Sequence, residues 1–285
     1  MIFLTSNQWK CDTNRPAWEA MGMDCSSRGR VGGLLRAYRT VLPDVLAMQE
    51  VSRTMENLLM DELTELTAEN GETVRYQLVS GGDTPILFRR ERFFALETGY
   101  FLFPEAVPGF EGSFNNARTK SYSFAVLEEI ETGKRLVVFS AHLWWKTSDP
   151  ARSAEAVYQA HSAEARAWQI GLVTERAEAL MAQYECPGVI MGDFNAGKGS
   201  LCMQEVEKRG WADSWDQSLG ARSTIKGHHY CDKTGFGRPK LGTPEQSLDH
   251  IIVKGGVTVR NQYVLSDEWF DCISDHYPLY IEAKL

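Results

Sequence analysis

At 285 residues and 43% hydrophobic, the chain has the length and apolar content of one large α/β unit with a sizeable core, so residues 1–285 are expected to form a single domain. A net charge of −8 excludes a protein that coats nucleic acid by bulk charge, while leaving room for a local basic patch. No apolar run reaches the length of a membrane span, and the six Cys lack CxxC spacing, so neither a transmembrane segment nor a structural zinc site is expected.

Residues 2–6 read as a buried strand opening at Asn7, a position for a metal-orienting amide or, more plainly, for a turn Asn that caps its own backbone. Residues 11–27 show no periodicity and form a long loop carrying Trp18. Val31, Leu34, Leu35, Tyr38, Val41 and Leu42 recur at helical spacing, and Pro43 ends the run. A second apolar run, 44–49, ends on Glu50. Met55, Leu58, Leu59, Leu63 and Leu66 mark an amphipathic helix just beyond, and Glu50 lies too early to be its first-turn charge. Strands are predicted at 75–79 and 85–90, linked by the turn Gly81-Gly82-Asp83, a segment that reads as scaffold.

The stretch 104–120 is rich in Pro, Gly and Asn, and its Arg118 and Lys120 either meet a phosphate or are simply solvated. An alternating strand through Phe124, Val126 and Ile130 follows. The turn 131–134 then closes a hairpin into the strand 136–142. His142 ends that strand, beside Trp144, Trp145 and Lys146, either as a structural imidazole or as a contact for an anion. Residues 152–184 read as one long helix. Gly188-Val189-Ile190-Met191 is a buried strand that opens into Gly192-Asp193-Phe194-Asn195. Taken alone, Asp193 and Asn195 are ordinary turn formers. Their weight comes from repetition, because Asn7, Glu50 and His142 also stand where apolar runs end. Residues 201–209 are predicted helical, and 211–247 form an aromatic, basic loop whose His228, His229 and Cys231 lack a complete zinc ligand set. Asp249 enters a strand, and Asp275-His276 precede the last one, 279–283.

Glu50, Asp193 and Asp275, with the amides Asn7 and Asn195, are hard oxygen donors gathered from distant points of the chain. Such a set suits Mg²⁺ or Mn²⁺. Asp249 and His276 make a carboxylate–imidazole pair. Phosphoester hydrolysis requires such parts: a cation, an oriented water and donors for the developing charge.

Asn7, Gln49-Glu50, Ala141-His142-Leu143, Gly192-Asp193-Phe194-Asn195, Leu248-Asp249-His250-Ile251 and Ser274-Asp275-His276-Tyr277-Pro278 carry a resemblance over nearly the whole chain. The sequence resembles the endonuclease/exonuclease/phosphatase superfamily, to which DNase I and exonuclease III belong. The resemblance implies an α/β fold, a four-layer αββα sandwich of two mixed β-sheets with its site at one edge. It implies that the Glu50 position binds metal, with Asn7 and Asp275 near it. It further implies that Asp193 and Asn195 handle the attacking water and a phosphate oxygen, that His142 donates to the phosphate, and that Asp249 supports His276. Whether Asp193 or His276 is the base stays open, and Arg118 falls near a phosphate-binding Arg of relatives.

The function implied is a phosphoesterase dependent on Mg²⁺ or Mn²⁺, acting on a phosphodiester. The alternatives are a DNA or RNA nuclease, a phosphomonoesterase on a small soluble phosphate, and a catalytically silent binding module. The superfamily also includes deadenylases, sphingomyelinases and inositol-phosphate phosphatases, so the substrate does not follow from the fold. Lys10, Arg118, Lys120, Lys146, Lys198, Lys226 and Arg238, interleaved with Trp9, Trp144, Trp145 and Tyr230, suggest a basic, aromatic mouth for a phosphate bearing a flat or apolar group; in the plainer reading several of them point elsewhere. A monomer with weak duplex DNA binding is expected. As written the chain reads as cytoplasmic, or as extracellular had a leader been removed, in which case Cys11 and Cys25 could pair.

Overall fold

The computed structural model describes residues 1–220 and 247–285. The strands in chain order are β1 Ile2–Asn7, β2 Val45–Gln49, β3 Leu66–Thr67, β4 Thr73–Val74, β5 Tyr76–Val79, β6 Ile86–Arg89 and β7 Phe93–Leu102. They continue with β8 Ser121–Glu129, β9 Arg135–His142, β10 Gly188–Asp193, β11 Ala212–Asp213, β12 Asp249–Lys254, β13 Thr258–Val264 and β14 Leu279–Lys284. The helices are α1 Pro16–Glu19, α2 Ser27–Val41, α3 Arg53–Leu63, α4 Ser162–Tyr184, α5 Leu201–Lys208 and α6 Ser214–Gln217.

Two six-stranded sheets form, ordered β13-β14-β1-β2-β6-β5 and β11-β12-β10-β9-β8-β7. Each is mixed: β1 and β2 are parallel, as are β9 and β10, and the remaining neighbours are antiparallel. Alternation along the strands sorts the side chains into layers. Phe3, Val45 and Ala47 of the first sheet meet Val138, Val189, Met191 and Ile251 of the second in a central core. On the outer face, Leu4, Leu46 and Leu87 receive Leu34, Tyr38 and Leu59 of α2 and α3. On the opposite outer face, Phe139 and Ile190 receive Ile170, Val173 and Met203 of α4 and α5. The result is the αββα sandwich expected. Among the described residues, no helix is long and apolar enough to cross a membrane.

Helix starts follow local capping. Ser26 accepts from the Gly29 amide and Ser52 from the Met55 amide, so α3 begins after Glu50 and leaves that carboxylate in the preceding turn. The long helix starts at Ser162 rather than at residue 152. Asp149 and Pro150 make a short 3₁₀ turn, and Thr147 exchanges backbone bonds with Val157 and Gln159, so residues 153–161 fold back before the helix begins. Two edge strands, β7 and β13, were not apparent in the sequence. A register shift interrupts each (Ala95/Glu97 and Val259/Asn261), so the period of two by which a strand is recognised is broken.

Candidate active site

Because β1 and β2 run parallel in one sheet and β9 and β10 in the other, their chain-forward ends lie along one rim. Asn7 is opposite Gln49, and Asp193 is opposite both His142 and Asp249. Gly192 permits the closeness of β9 and β10: its φ is +153°, and a Cβ there would come within 1.9 Å of the Ala141 carbonyl oxygen. Glu50 and Asn195 both follow their strands with left-handed backbones, φ 55° and 49°, which turn the chain out of the sheet.

Asp193 is the hub. It is buried, its Oδ1 accepts from the Asn195 amide at 2.8 Å and its Oδ2 from Asn7 Nδ2 at 3.1 Å. His142 Nε2 lies 3.5 Å and His276 Nε2 3.9 Å from Oδ2. Burial pushes its carboxyl up, but His276, His142 and the Lys120 ammonium outweigh that and hold it below the usual range. His276 Nδ1 pairs with Asp249 Oδ2 at 2.7 Å. Burial alone would strip the ring of its proton, yet Asp249, Asp193 and Asp275 around it raise its pKa well above that of an ordinary histidine. The imidazole therefore carries the positive charge of this pair.

Asp275 is buried, which lifts its carboxyl to about 6, and its Oδ1 has no hydrogen-bond partner among the described residues. A buried carboxylate oxygen left without a donor is where a cation fits. Glu50 lies on the same cavity wall, accepting at Oε2 from the Lys10 amide at 3.1 Å. Glu50, His142 and Asp193 also offer ligand atoms within 4.8 Å of one another, as do Asp193, Asp249 and His276. The second of these groups is built round a charged imidazole, a poor ligand. In the first, the Lys120 ammonium already contacts His142 Nε2. Glu50 and Asp275 add two carboxylates on the same wall, oxygen donors of the kind a divalent ion takes. Asn7 is occupied at both ends, by the Trp9 amide at 2.9 Å and by Asp193.

These groups open into a cavity of about 930 Å³, also lined by Trp9, Lys10, Arg15, Trp145 and Arg152. Arg118 is not in it. With a left-handed backbone it turns into an adjoining cavity of about 300 Å³ with Lys10, Arg53 and Tyr100. The expected mouth is only partly assembled: Trp144 is buried against Phe114, and Lys198 is tied to Asp216. Lys226, Arg238, Tyr230, His228, His229 and Cys231 lie outside the described residues. Cys11 and Cys25 are free thiols with sulfurs 3.7 Å apart.

The sequence pattern of the Endonuclease/Exonuclease/phosphatase family matches residues 23–276. The chain belongs to that family. Its members are phosphoester hydrolases. The fold is similar to that of the endonuclease/exonuclease/phosphatase from Bacteroides vulgatus, with 16% identity, 100% of this chain and 98% of that one covered and a TM-score of 0.72. It is similar to the mannosyl-6-phosphatase of Bacteroides thetaiotaomicron (18% identity, 100% of both chains, TM-score 0.70). It is also similar to D. rerio TDP2 complexed with single strand DNA product (17%, 100% and 99%, 0.64). At these identities the likeness speaks for the fold alone. No curated protein matches the chain at a significant level.

Two residues of this family member escaped the sequence reading. Asp83, treated as scaffold, is buried and meets His142 Nδ1 at 3.2 Å and Lys10 Nζ at 3.0 Å. Its turn presses on β8, where a Cβ on Gly81 would stand 2.0 Å from Ser123 Oγ. Burial raises the Asp83 carboxyl, and His142 and Lys10 more than reverse it. Arg30, fully buried, donates to the carbonyls of Cys25, Gln8, Trp9, Cys11 and Ile273, tying the loop after β1 to the segment before Asp275. Lys120, for which the sequence left a phosphate contact and a solvated charge both open, is 4% exposed on the cavity wall. An Arg inside the apolar stripe 30/34/38/41 was the available signal for Arg30; no local pattern marks Asp83.

Proposed function

We propose that the protein is a divalent-metal-dependent phosphoesterase that cleaves a phosphodiester of a small molecule by attack of water. The observation that carries this reading is Asp193: a carboxylate buried on the cavity floor, fixed by Asn7 and the Asn195 amide, with His276 Nε2 3.9 Å away and Asp249 behind that ring. Mg²⁺ or Mn²⁺ held by Glu50 and Asp275 would supply Lewis-acid neutralisation of the phosphate. Asp193 accepts the proton of the attacking water. His276, kept protonated by Asp249, donates from Nε2 to a phosphate oxygen, and so is not the base. Asn195 fixes the Asp193 carboxylate through its amide and holds the Leu143 carbonyl with Nδ2 at 3.1 Å. A cavity of about 930 Å³ has the size of a small-molecule site, and the body around it is acidic. Both support a compact substrate over duplex DNA.

The test is hydrolysis by purified protein with Mg²⁺, Mn²⁺ or EDTA, offered bis-p-nitrophenyl phosphate, p-nitrophenyl phosphate, a hexose 6-phosphate, plasmid DNA and RNA. Metal-dependent cleavage of the diester is the expected result. Faster release from the monoesters would move the assignment to a phosphomonoesterase, and no cleavage of any of them with either metal would overturn it.

A further inference from the structure

The cavity that Arg118 enters shares Lys10, Asp83 and Thr119 with the wall of the larger one, so the two adjoin. Its charges do not cancel. Asp83 and Lys10 pair with each other at 3.0 Å, which leaves the guanidiniums of Arg53 and Arg118 beside one carboxylate, Glu56. Among the described residues, neither arginine makes an ion pair or a side-chain hydrogen bond with Glu56 or with any other group. Both stand where the backbone does not favour them. Arg53 is the first residue of α3, directly after its Ser52 cap, and the helix dipole opposes a cation there. Arg118 holds its left-handed φ of 52° although it is not glycine. Tyr100 of β7 adds a hydroxyl: a Cβ on Gly82 would come within 2.7 Å of its Oη, so the bare turn leaves that group its place in the cavity.

We propose that this adjoining cavity is a specificity subsite for a phosphate group: Arg53 and Arg118 hold a second phosphate of the substrate while its diester is cleaved in the larger cavity. The substrate class is then a small phosphodiester that also bears a phosphate monoester. A guanidinium presents a fork of donors matched to phosphate oxygens, and it stays charged at any physiological pH. Two of them with a phenol hydroxyl satisfy a dianion. Arg118 stands apart from the carboxylates and imidazoles of the larger cavity, so the phosphate it receives is not the one being cleaved. What the subsite serves rests on the phosphoesterase reading, whereas phosphate binding by the two arginines does not.

The test has two arms. In EDTA-treated protein, calorimetry reads the binding of inorganic phosphate to the wild type, Arg53→Gln and Arg118→Gln; both side chains are exposed, so their replacement leaves the core intact. Each substitution is expected to weaken phosphate binding at least ~10-fold, the scale of a charge-assisted hydrogen bond. With Mn²⁺ added, kcat/KM is compared for the p-nitrophenyl ester of thymidine 5′-phosphate and for the same ester carrying a 3′-phosphate. The wild type should prefer the phosphorylated ester at least ~10-fold, through a lower KM, and either substitution should bring that ratio towards unity. No phosphate binding by the wild type, or binding that either substitution leaves unchanged, overturns the proposal. So does a wild-type ratio near unity, or one that the substitutions do not move. If neither ester is cleaved yet both substitutions weaken phosphate binding, the phosphoesterase reading falls and the anion site stands.

Discussion

Two carboxylate–imidazole pairs flank Asp193, and the same parts do different work in each. At Asp249–His276 the ring lies among three carboxylates, which raise its pKa well above that of an ordinary histidine. At Asp83–His142 the second nitrogen meets Lys120 Nζ, so that ring lies between a carboxylate and a lysine. The group at the far nitrogen decides what a carboxylate-backed histidine does. A third pair, Asp213–His250, is the control away from the cavity wall: Nδ1 meets Asp213 at 2.7 Å, while Nε2 faces the carbonyls of Ala196 and Ser247 at 2.8 and 3.1 Å. Two acceptors make that ring a doubly donating structural cation.

The largest effect should come from Glu50, the carboxylate proposed to hold the ion. Glu50→Gln keeps the shape and removes a charge, so turnover should fall at least ~1000-fold and Mn²⁺ affinity at least ~100-fold. Calorimetry showing unchanged affinity, with normal turnover, would remove Glu50 from the site. Next is His276→Ala, expected to lose at least ~100-fold in turnover with its Mn²⁺ affinity largely kept, since the imidazolium is a donor and not a ligand. Weaker Mn²⁺ binding equal to that of Glu50→Gln would make the ring a ligand after all. Asp83→Asn should cost only about tenfold, because an amide oxygen still accepts from His142 Nδ1 while the pairing with Lys10 is lost. A loss as large as that of His276→Ala would erase the distinction between the two pairs.

The smallest effect concerns stability alone. Burial works against the charged form of His250, but Asp213 and the Ala196 carbonyl more than compensate, so folding raises its pKa. Its contribution is therefore fully present below the unfolded value of about 6.5 and is lost as pH rises through the higher folded value. Thermal melts of the metal-free wild type from pH 6 upward should show a decline that is shallower in His250→Gln. Equal slopes would mean that the Asp213–His250 pair is not charged.

Much of this arrangement was legible in the chain itself. Asn7, Glu50, His142 and Asp193 each stand where an apolar run stops, and a run that stops at the rim of a sheet delivers its next polar residue there. Asp249, Asp275-His276 and the sandwich itself were readable through the resemblance. Edge strands β7 and β13 were not, since bulges scramble their alternation, and neither was the start of α4, set by a fold-back on Thr147 that has no local signal.

The sequence by itself determined which strands carry polar ends and hence where a site lies. Only the tertiary structure decided which neighbours complete it. Asp83 and Lys120 stand 59 and 22 residues from His142 and reach it because one belongs to the turn before β6 and the other to the residue before β8, two segments that the stacking of the sheets brings together. Arg118 and Lys120 are alike as sequence, two basic residues in one polar loop. Asn115 clamps the backbone of one so that its ammonium is buried against His142, whereas a left-handed turn sends the other into the adjoining cavity, a separation fixed by hydrogen bonds that local composition does not encode.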